Sequence, residues 1–222
     1  MTCDHVAKVI YGGYVPGLSE AGRVAFPLFA LVMAYNLAQP SPAQPGADAV
    51  KSLRRLGAWG VIAQPVHALA FGYWLPLNTL LTFALCAAAI YAARQRKWIA
   101  LAFAAAVLPL FVDYQWAGVG FVLLAWCAFK WRQLWPLVPA FGAICWFNGN
   151  LWALVAIPVA LCLSRVTWPA GVLRLLRRAP CVHWVAGAYT AAMNLRRYLD
   201  VHYWIARWMD RAFARQQARQ KS

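Results

Sequence analysis

The sequence predicts an all-α fold, a polytopic transmembrane helix bundle of about seven spans, and three observations carry that expectation. Of 222 residues, 63% are hydrophobic and 12% charged, against about 45–50% and about 25% in soluble domains. A soluble globule this short has too little interior to hide such an excess. The apolar residues also fall in long runs without alternation, which suits helices that satisfy their own backbone in lipid rather than barrel strands with one polar face. The loops between those runs alternate in charge.

Taken in order, the apolar segments are Val24–Ala38, Leu56–Gly72, Leu75–Ala93, Trp98–Val112, Ala117–Phe129, Leu134–Phe147 and Leu151–Ser164. Several are shorter than the ~20 residues that cross a bilayer comfortably. Their connections are very short, so adjacent residues can complete the spans. The Pro-rich polar stretch Gln39–Asp48 reads as a loop.

The loops set the orientation. Lys51, Arg54 and Arg55 precede the second segment, and the gap after it, at Tyr73–Trp74, is uncharged. Arg94, Arg96 and Lys97 come next, followed by a gap with Asp113 alone. Lys130 and Arg132 then precede a neutral Asn148–Gly149–Asn150 turn, and Arg165 opens a basic tail. This alternation puts the basic loops and the C-terminus in the cytoplasm. Residues 1–23 then lie at the outer face with Asn78, Asp113, Asn148 and Asn150. An outer N-terminus with no signal-like segment before it leads to the expectation of one further helix upstream of Met1.

The chain carries 21 Lys and Arg against 6 Asp and Glu, a formal charge of +15. Positive cytoplasmic loops account for the excess without nucleic acid, so no direct nucleic-acid partner is expected. None of the six cysteines pairs at C-x-x-C spacing, and they read as small packing residues rather than a metal or disulfide site. In the tail, Leu195, Tyr198, His202, Ile205, Met209 and Phe213 recur at three- and four-residue steps. That spacing, with basic residues opposite, describes an amphipathic helix suited to an anionic lipid surface. The division expected is a transmembrane domain over residues 1–165 and a basic amphipathic tail over 166–222.

Ionisable groups at membrane depth are costly and point to function. Asp4, His5, Lys8, Glu20 and Arg23 share the outer face with Asn78, Asp113, Tyr114, Asn148 and Asn150 by the loop count. Gln64 and His67 lie within the second segment. His5 suits a general base, because its unperturbed pKa of about 6.5 lies near working pH; the alternative is a hydrated loop histidine at a helix end. Asp4 is its chain neighbour, and adjacent helical residues do not face one another. Asp113, arriving from another helix, is the better orienting group. Arg23 is either a snorkelling anchor or a fork for phosphate or carboxylate. Gln64 and His67 read most simply as helix–helix hydrogen-bonding residues. No H-E-x-x-H, G-x-S-x-G, Walker or G-x-G-x-x-G motif is present. These residues alone leave open an enzyme, a transporter or an assembly component.

The run Gly22-Arg23-Val24-Ala25-Phe26-Pro27-Leu28-Phe29-Ala30 resembles the TraX family of conjugative-plasmid proteins, whose near relatives include the TrbP conjugal transfer proteins. Asp4-His5, the stretch Arg55 to Gln64, Asn78 with Leu80 and Phe83, and Asp113-Tyr114 with Gly118 and Gly120 fit the same pattern in order, over about Met1 to Arg165. The resemblance implies an inner-membrane acetyltransferase for the N-terminus of the conjugative pilin subunit, with acetyl-CoA as donor and no metal. It implies His5 as the acyl-transfer histidine with Asp4 beside it and Asp113 assisting as a further catalytic residue, and Arg23 in the acyl-donor or substrate site together with the polar residues Gln64, Asn78 and Tyr114. The partners implied are pilin, membrane lipid and the conjugative secretion apparatus. A non-enzymatic membrane subunit or chaperone of pilus assembly is the alternative. The family normally carries an apolar helix before its Asp-His, which agrees with the expected upstream helix, and its last helix is aromatic-rich where this tail is basic.

Overall fold

The structure, a computed structural model, describes Ala7, Tyr11, and residues 13–39 and 46–165, with side chains as far as Cys162. Asp4 and His5, and the proposed tail helix from 166 onward, lie outside the described residues. The chain divides into two units, Met1–Ala156 and Ile157–Ser222.

Every apolar segment marked from the sequence is helical, and the described residues hold no strand beyond one isolated bridge, Leu77 to Val112. The helices are α1 (Leu18–Ala38), α2 (Ala47–Phe71), α3 (Thr79–Arg94), α4 (Trp98–Ala106), α5 (Gln115–Trp131), α6 (Leu137–Asn148) and α7 (Ala156–Arg165). Short 3-10 turns, Leu108–Phe111 and Trp152–Val155, follow α4 and precede α7. Helix α1 is long and apolar enough to cross a bilayer, and α3, α6 and the segments Trp98–Phe111 and Trp152–Cys162 are apolar but shorter.

Helix ends depart from the expected segment ends for identifiable reasons. Lys51, Arg54 and Arg55, expected in a loop, lie inside α2, which starts at Ala47 after Gly46 in the left-handed region (φ 93°). Charge stops an apolar run without stopping a helix. The third segment begins later than expected, because Leu75–Leu77 is not helical and Asn78 caps α3 by accepting from the Leu80 and Leu81 amides. The fourth breaks after Ala106, where Pro109 enters a 3-10 turn instead of continuing the helix.

In the first unit α3 packs against α2, α4 and α5, while α5 also packs against α1 and α6. Helix α3 is buried on nearly every side, from Thr79 through Phe83, Cys86 and Ile90 to Ala92. Its alanines let neighbouring backbones approach closely, as small residues do in membrane bundles. Phe26, Phe121, Val119, Val122 and Ile144 fill the spaces between α1, α5 and α6. Large apolar side chains also point outward: Leu69, Ile99, Val138 and Trp146 are each at least 75% exposed. A soluble protein rarely shows so much apolar surface, whereas lipid would cover it.

Within the first unit, helices α1 to α6 run in alternating senses between two ends of distinct chemistry. One end gathers the start of α1, α3 and α5 with the ends of α2 and α6. The other holds the start of α2 and the ends of α3 and α5, where Trp126 Nε1 donates to the Leu37 carbonyl (3.2 Å) and the Lys130 ammonium lies 4.5 Å from the Trp126 ring centroid. At 1.5 Å per residue, α3 alone separates the ends by about 24 Å.

Gly60 is where α2 meets the first turn of α3. A Cβ there would sit 2.7 Å from Leu81 Cγ and Cδ2 and 3.2 Å from its amide nitrogen. Gly60→Ala should therefore cost about 1–3 kcal/mol of stability through overpacking. Thermal unfolding of the detergent-solubilised protein checks this, and an unchanged midpoint would show that the two helices are not in such close contact.

Candidate functional site

The polar end is built on two hydrogen-bonded centres, and both hold the turn that starts α3. The first is a pair of buried amides. Gln64 Oε1 accepts from the backbone N–H and the side-chain Nδ2 of Asn78 (2.9 and 2.8 Å). Gln64 Nε2 donates to the Trp74 carbonyl (2.9 Å), and Asn78 Nδ2 also donates to the Gly60 carbonyl (2.8 Å). With Oδ1 capping α3, each oxygen and nitrogen of the two side-chain amides has a partner inside the protein. These residues hold the end of α2, the connecting loop and the start of α3 together.

The second centre is Asp113. Its Oδ2 accepts from Thr79 Oγ1 (2.6 Å) and its Oδ1 from the Tyr114 amide (3.0 Å). Its backbone N–H donates to the Leu77 carbonyl (2.9 Å), and its own carbonyl accepts from Thr82 Oγ1 (2.9 Å). The carboxylate is half-buried, with one described hydrogen bond on each oxygen. An ionised carboxylate can accept about four, so Asp113 is firmly oriented and still able to take a further donor.

The chain then turns sharply. Tyr114 and Gln115 both occupy the left-handed region (φ 60° and 44°), which is strained for residues with a Cβ. The strain is held by packing: the Tyr114 ring stacks on Phe26 of α1 (4.0 Å between centroids, 17°) and lies 5.9 Å from Phe147 of α6. Gly118 makes room, since a Cβ there would come within 2.6 Å of Tyr114 Cβ and 3.1 Å of Phe26 Cζ.

Across the stack, Arg23 Nη1 donates to the Asn148 carbonyl (3.4 Å), and its guanidinium lies 5.5 Å from the Tyr14 ring centroid. Tyr14 donates to Glu20 Oε1 (2.8 Å), a hydrogen bond that pushes the phenol above its ordinary pKa by favouring the protonated form. Among the described residues no carboxylate pairs with Arg23. Asn148 Nδ2 is buried and has no hydrogen-bond partner among the described residues.

Of the residues singled out in the sequence, Gln64, Asn78, Asp113, Tyr114, Asn148 and Arg23 thus form one continuous chain of contacts. The links run through Thr79 between Asn78 and Asp113, and through Phe26 and Phe147 between Tyr114 and the α1–α6 side. His67 packs against Phe71 and Tyr73. Thr79 and Thr82 were not anticipated, although a threonine pair three residues apart directly after a capping asparagine was readable as one helix face. Among the described residues no three His, Cys, Asp or Glu side chains gather as metal ligands.

Thr79→Val should leave the Asp113 carboxylate without its hydroxyl donor and cost about 0.5–1.5 kcal/mol, the net worth of a hydrogen bond that water can partly replace at a half-buried group. Thermal unfolding measures the loss. A wild-type midpoint would show that the Thr79–Asp113 bond does not order this turn.

Residues 1–183 match the family described as TraX protein. Protein TraX of Escherichia coli is 38% identical over 87 residues, an alignment covering 39% of this chain and 33% of that protein. The match therefore spans about a third of the length of that curated relative. No solved structure matches the chain.

Proposed function

The chain belongs to the TraX family, and on that premise we propose that it is a multi-pass inner-membrane acetyltransferase that moves an acetyl group from acetyl-CoA to the N-terminal α-amine of a conjugative pilin. The observation that carries the reading is the presence, at the same end of the bundle, of an oriented carboxylate with spare acceptor capacity, Asp113, and an arginine with no described carboxylate partner, Arg23. Acyl transfer to an amine needs a base held in place and a cationic group for an anionic part of donor or substrate.

In this reading His5 takes the proton. The α-amine of a processed pilin has a pKa of roughly 7.7–8.0, so a base near neutrality suffices to expose its lone pair. The amine nitrogen attacks the thioester carbonyl, a C–N bond forms and the C–S bond breaks. His5 accepts the proton from nitrogen and the departing thiolate is protonated in turn. Asp113 is the group assigned to orient the imidazole, with Asp4 as the chain neighbour of His5. Arg23 binds the anionic portion of donor or substrate. Gln64, Asn78 and Tyr114 support these groups by holding the α3 and α5 turns. The product has lost its terminal charge, which eases packing of pilin N-termini in lipid or in the filament.

Seven spans with a cytoplasmic C-terminus fit the opposite polarity of successive helices and the basic loops at one end. Reporter fusions after Arg96 and after Asp113 should give cytoplasmic and periplasmic signals. The same side for both would contradict the orientation.

Acetyl transfer from labelled acetyl-CoA to pilin in isolated membranes tests the roles. His5→Ala and Asp113→Asn should each lower the rate about 10²–10⁴-fold, the usual contribution of general acid–base catalysis, at unchanged membrane level. Arg23→Gln should act chiefly on KM. Full transfer by His5→Ala would favour a non-enzymatic role in pilus assembly.

A further inference from the structure

The opposite end of the bundle carries a cleft of about 700 Å³ between the first half of α2 and the end of α3. Lys51, Arg54 and Arg55 form one wall, Tyr91 and Gln95 the other, and Ala47 contributes an apolar edge. The three cations occupy positions i, i+3 and i+4 of α2, so they share a face and repel one another. All three are exposed. Cations needed only for orientation have no reason to line one face of α2 along a concave site opposite an aromatic ring.

Tyr91 is set deliberately into that wall. Gly46, at φ 93°, brings the loop backbone against the ring: a Cβ there would lie 3.0 Å from Tyr91 Cδ2 and 3.4 Å from Gln95 Nε2. Lys97 contributes a further cation, its Nζ 5.6 Å from the Tyr91 ring centroid. The nearby carboxylate, Asp48 in the first turn of α2, does not line the cleft and interacts electrostatically with Arg94. The volume lies within the range of small-molecule sites, about 300–1,000 Å³, and exceeds what a single inorganic ion would fill.

We propose that this cleft binds an organic phosphate, with Lys51, Arg54 and Arg55 on the phosphate oxygens and Tyr91 against the rest of the ligand. Arginine and lysine together suit clustered phosphate charge, the one through its fork and the other as a point charge. The phosphate can come from a soluble nucleotide, such as the nucleotide end of coenzyme A, or from a phospholipid headgroup. Naming the soluble ligand rests on the acetyl-transfer reading; the phosphate chemistry rests on the cleft. A donor anchored here would have to extend along α3, about 24 Å, to bring its thioester to Asp113.

The test uses the full chain in nanodiscs. In zwitterionic phosphatidylcholine, coenzyme A and 3′,5′-ADP are titrated by calorimetry; in a second set, phosphatidylglycerol is added and bound lipid is counted by native mass spectrometry. Saturable binding of the nucleotides or of phosphatidylglycerol is expected. Lys51→Gln/Arg54→Gln should weaken it by about tenfold or more through loss of charge-assisted hydrogen bonds. Lys130→Gln/Arg132→Gln, which removes equal charge away from the cleft, should leave it nearly unchanged. Tyr91→Leu should weaken a nucleotide and spare a headgroup, which separates the two sources. Absence of saturable binding by every probe, or equal weakening by both double variants, overturns the proposal. Because no pilin is needed, the outcome is independent of acetylation. Bound coenzyme A with unmodified pilin would remove the acetylase reading alone, and acetylation with no effect of Lys51→Gln/Arg54→Gln on KM or on binding would remove the cleft alone.

Discussion

A buried amide must find partners for every N–H and C=O it carries, and Asn78 at the head of α3 is where that constraint organises the bundle. Its side chain caps α3 with one atom and joins Gly60 and Gln64 of α2 with the other. The next residue, Thr79, then holds Asp113 from the α5 turn. Three helices are thus tied at one point, with each oxygen and nitrogen of the two side-chain amides partnered. Were Asn78 replaced by an apolar residue, the Gly60 carbonyl would keep only its helical partner and the Gln64 oxygen would lose one of its two donors. The first turn of α3 would also lose its cap, worth about 0.5–2 kcal/mol alone.

That tie explains why the polar end can carry strain. The left-handed pair Tyr114–Gln115 is tolerated because Asp113 is clamped on one side and the Tyr114 ring is stacked on Phe26 on the other. The consequence is functional geometry: the chain reverses at a carboxylate whose oxygens are oriented and incompletely used. The aromatic stack carries the order across to α1 and α6, where Arg23 and Asn148 meet. The other end has a different character, with cations over the faces of Tyr91 and Trp126 and no comparable buried polar centre among the described residues.

Much of this was legible in the residues. Long apolar runs located each helix, and the contrast between basic and neutral loops sorted Arg23, Asn78, Asp113 and Asn148 to one end, where the contacts join them. Helix ends were less legible, because apolarity reports depth in a bilayer rather than backbone conformation. Lys51, Arg54 and Arg55 therefore read as loop although they continue α2. The start of α3 was readable in principle, since Pro76 and Asn78 both mark a helix beginning after them. Thr79 and Thr82 leave no mark in the hydropathy pattern, because a hydroxyl barely alters it, and only the fold brings one to the Asp113 carboxylate and the other to the Asp113 backbone carbonyl. The packing of Gly60 against Leu81 and of Gly118 beneath Tyr114 depends on helix register, which no single segment encodes.

The central claim is that the polar end serves acetyl transfer to a pilin N-terminus, and the most direct measurement is the intact mass of pilin from otherwise identical cells with and without this chain. The account predicts pilin heavier by one acetyl group when the chain is present, with the added mass on the N-terminal peptide. Pilin of the same mass in both cells would contradict it and leave the oriented Asp113, and an Arg23 with no carboxylate partner among the described residues, to be explained by another reaction.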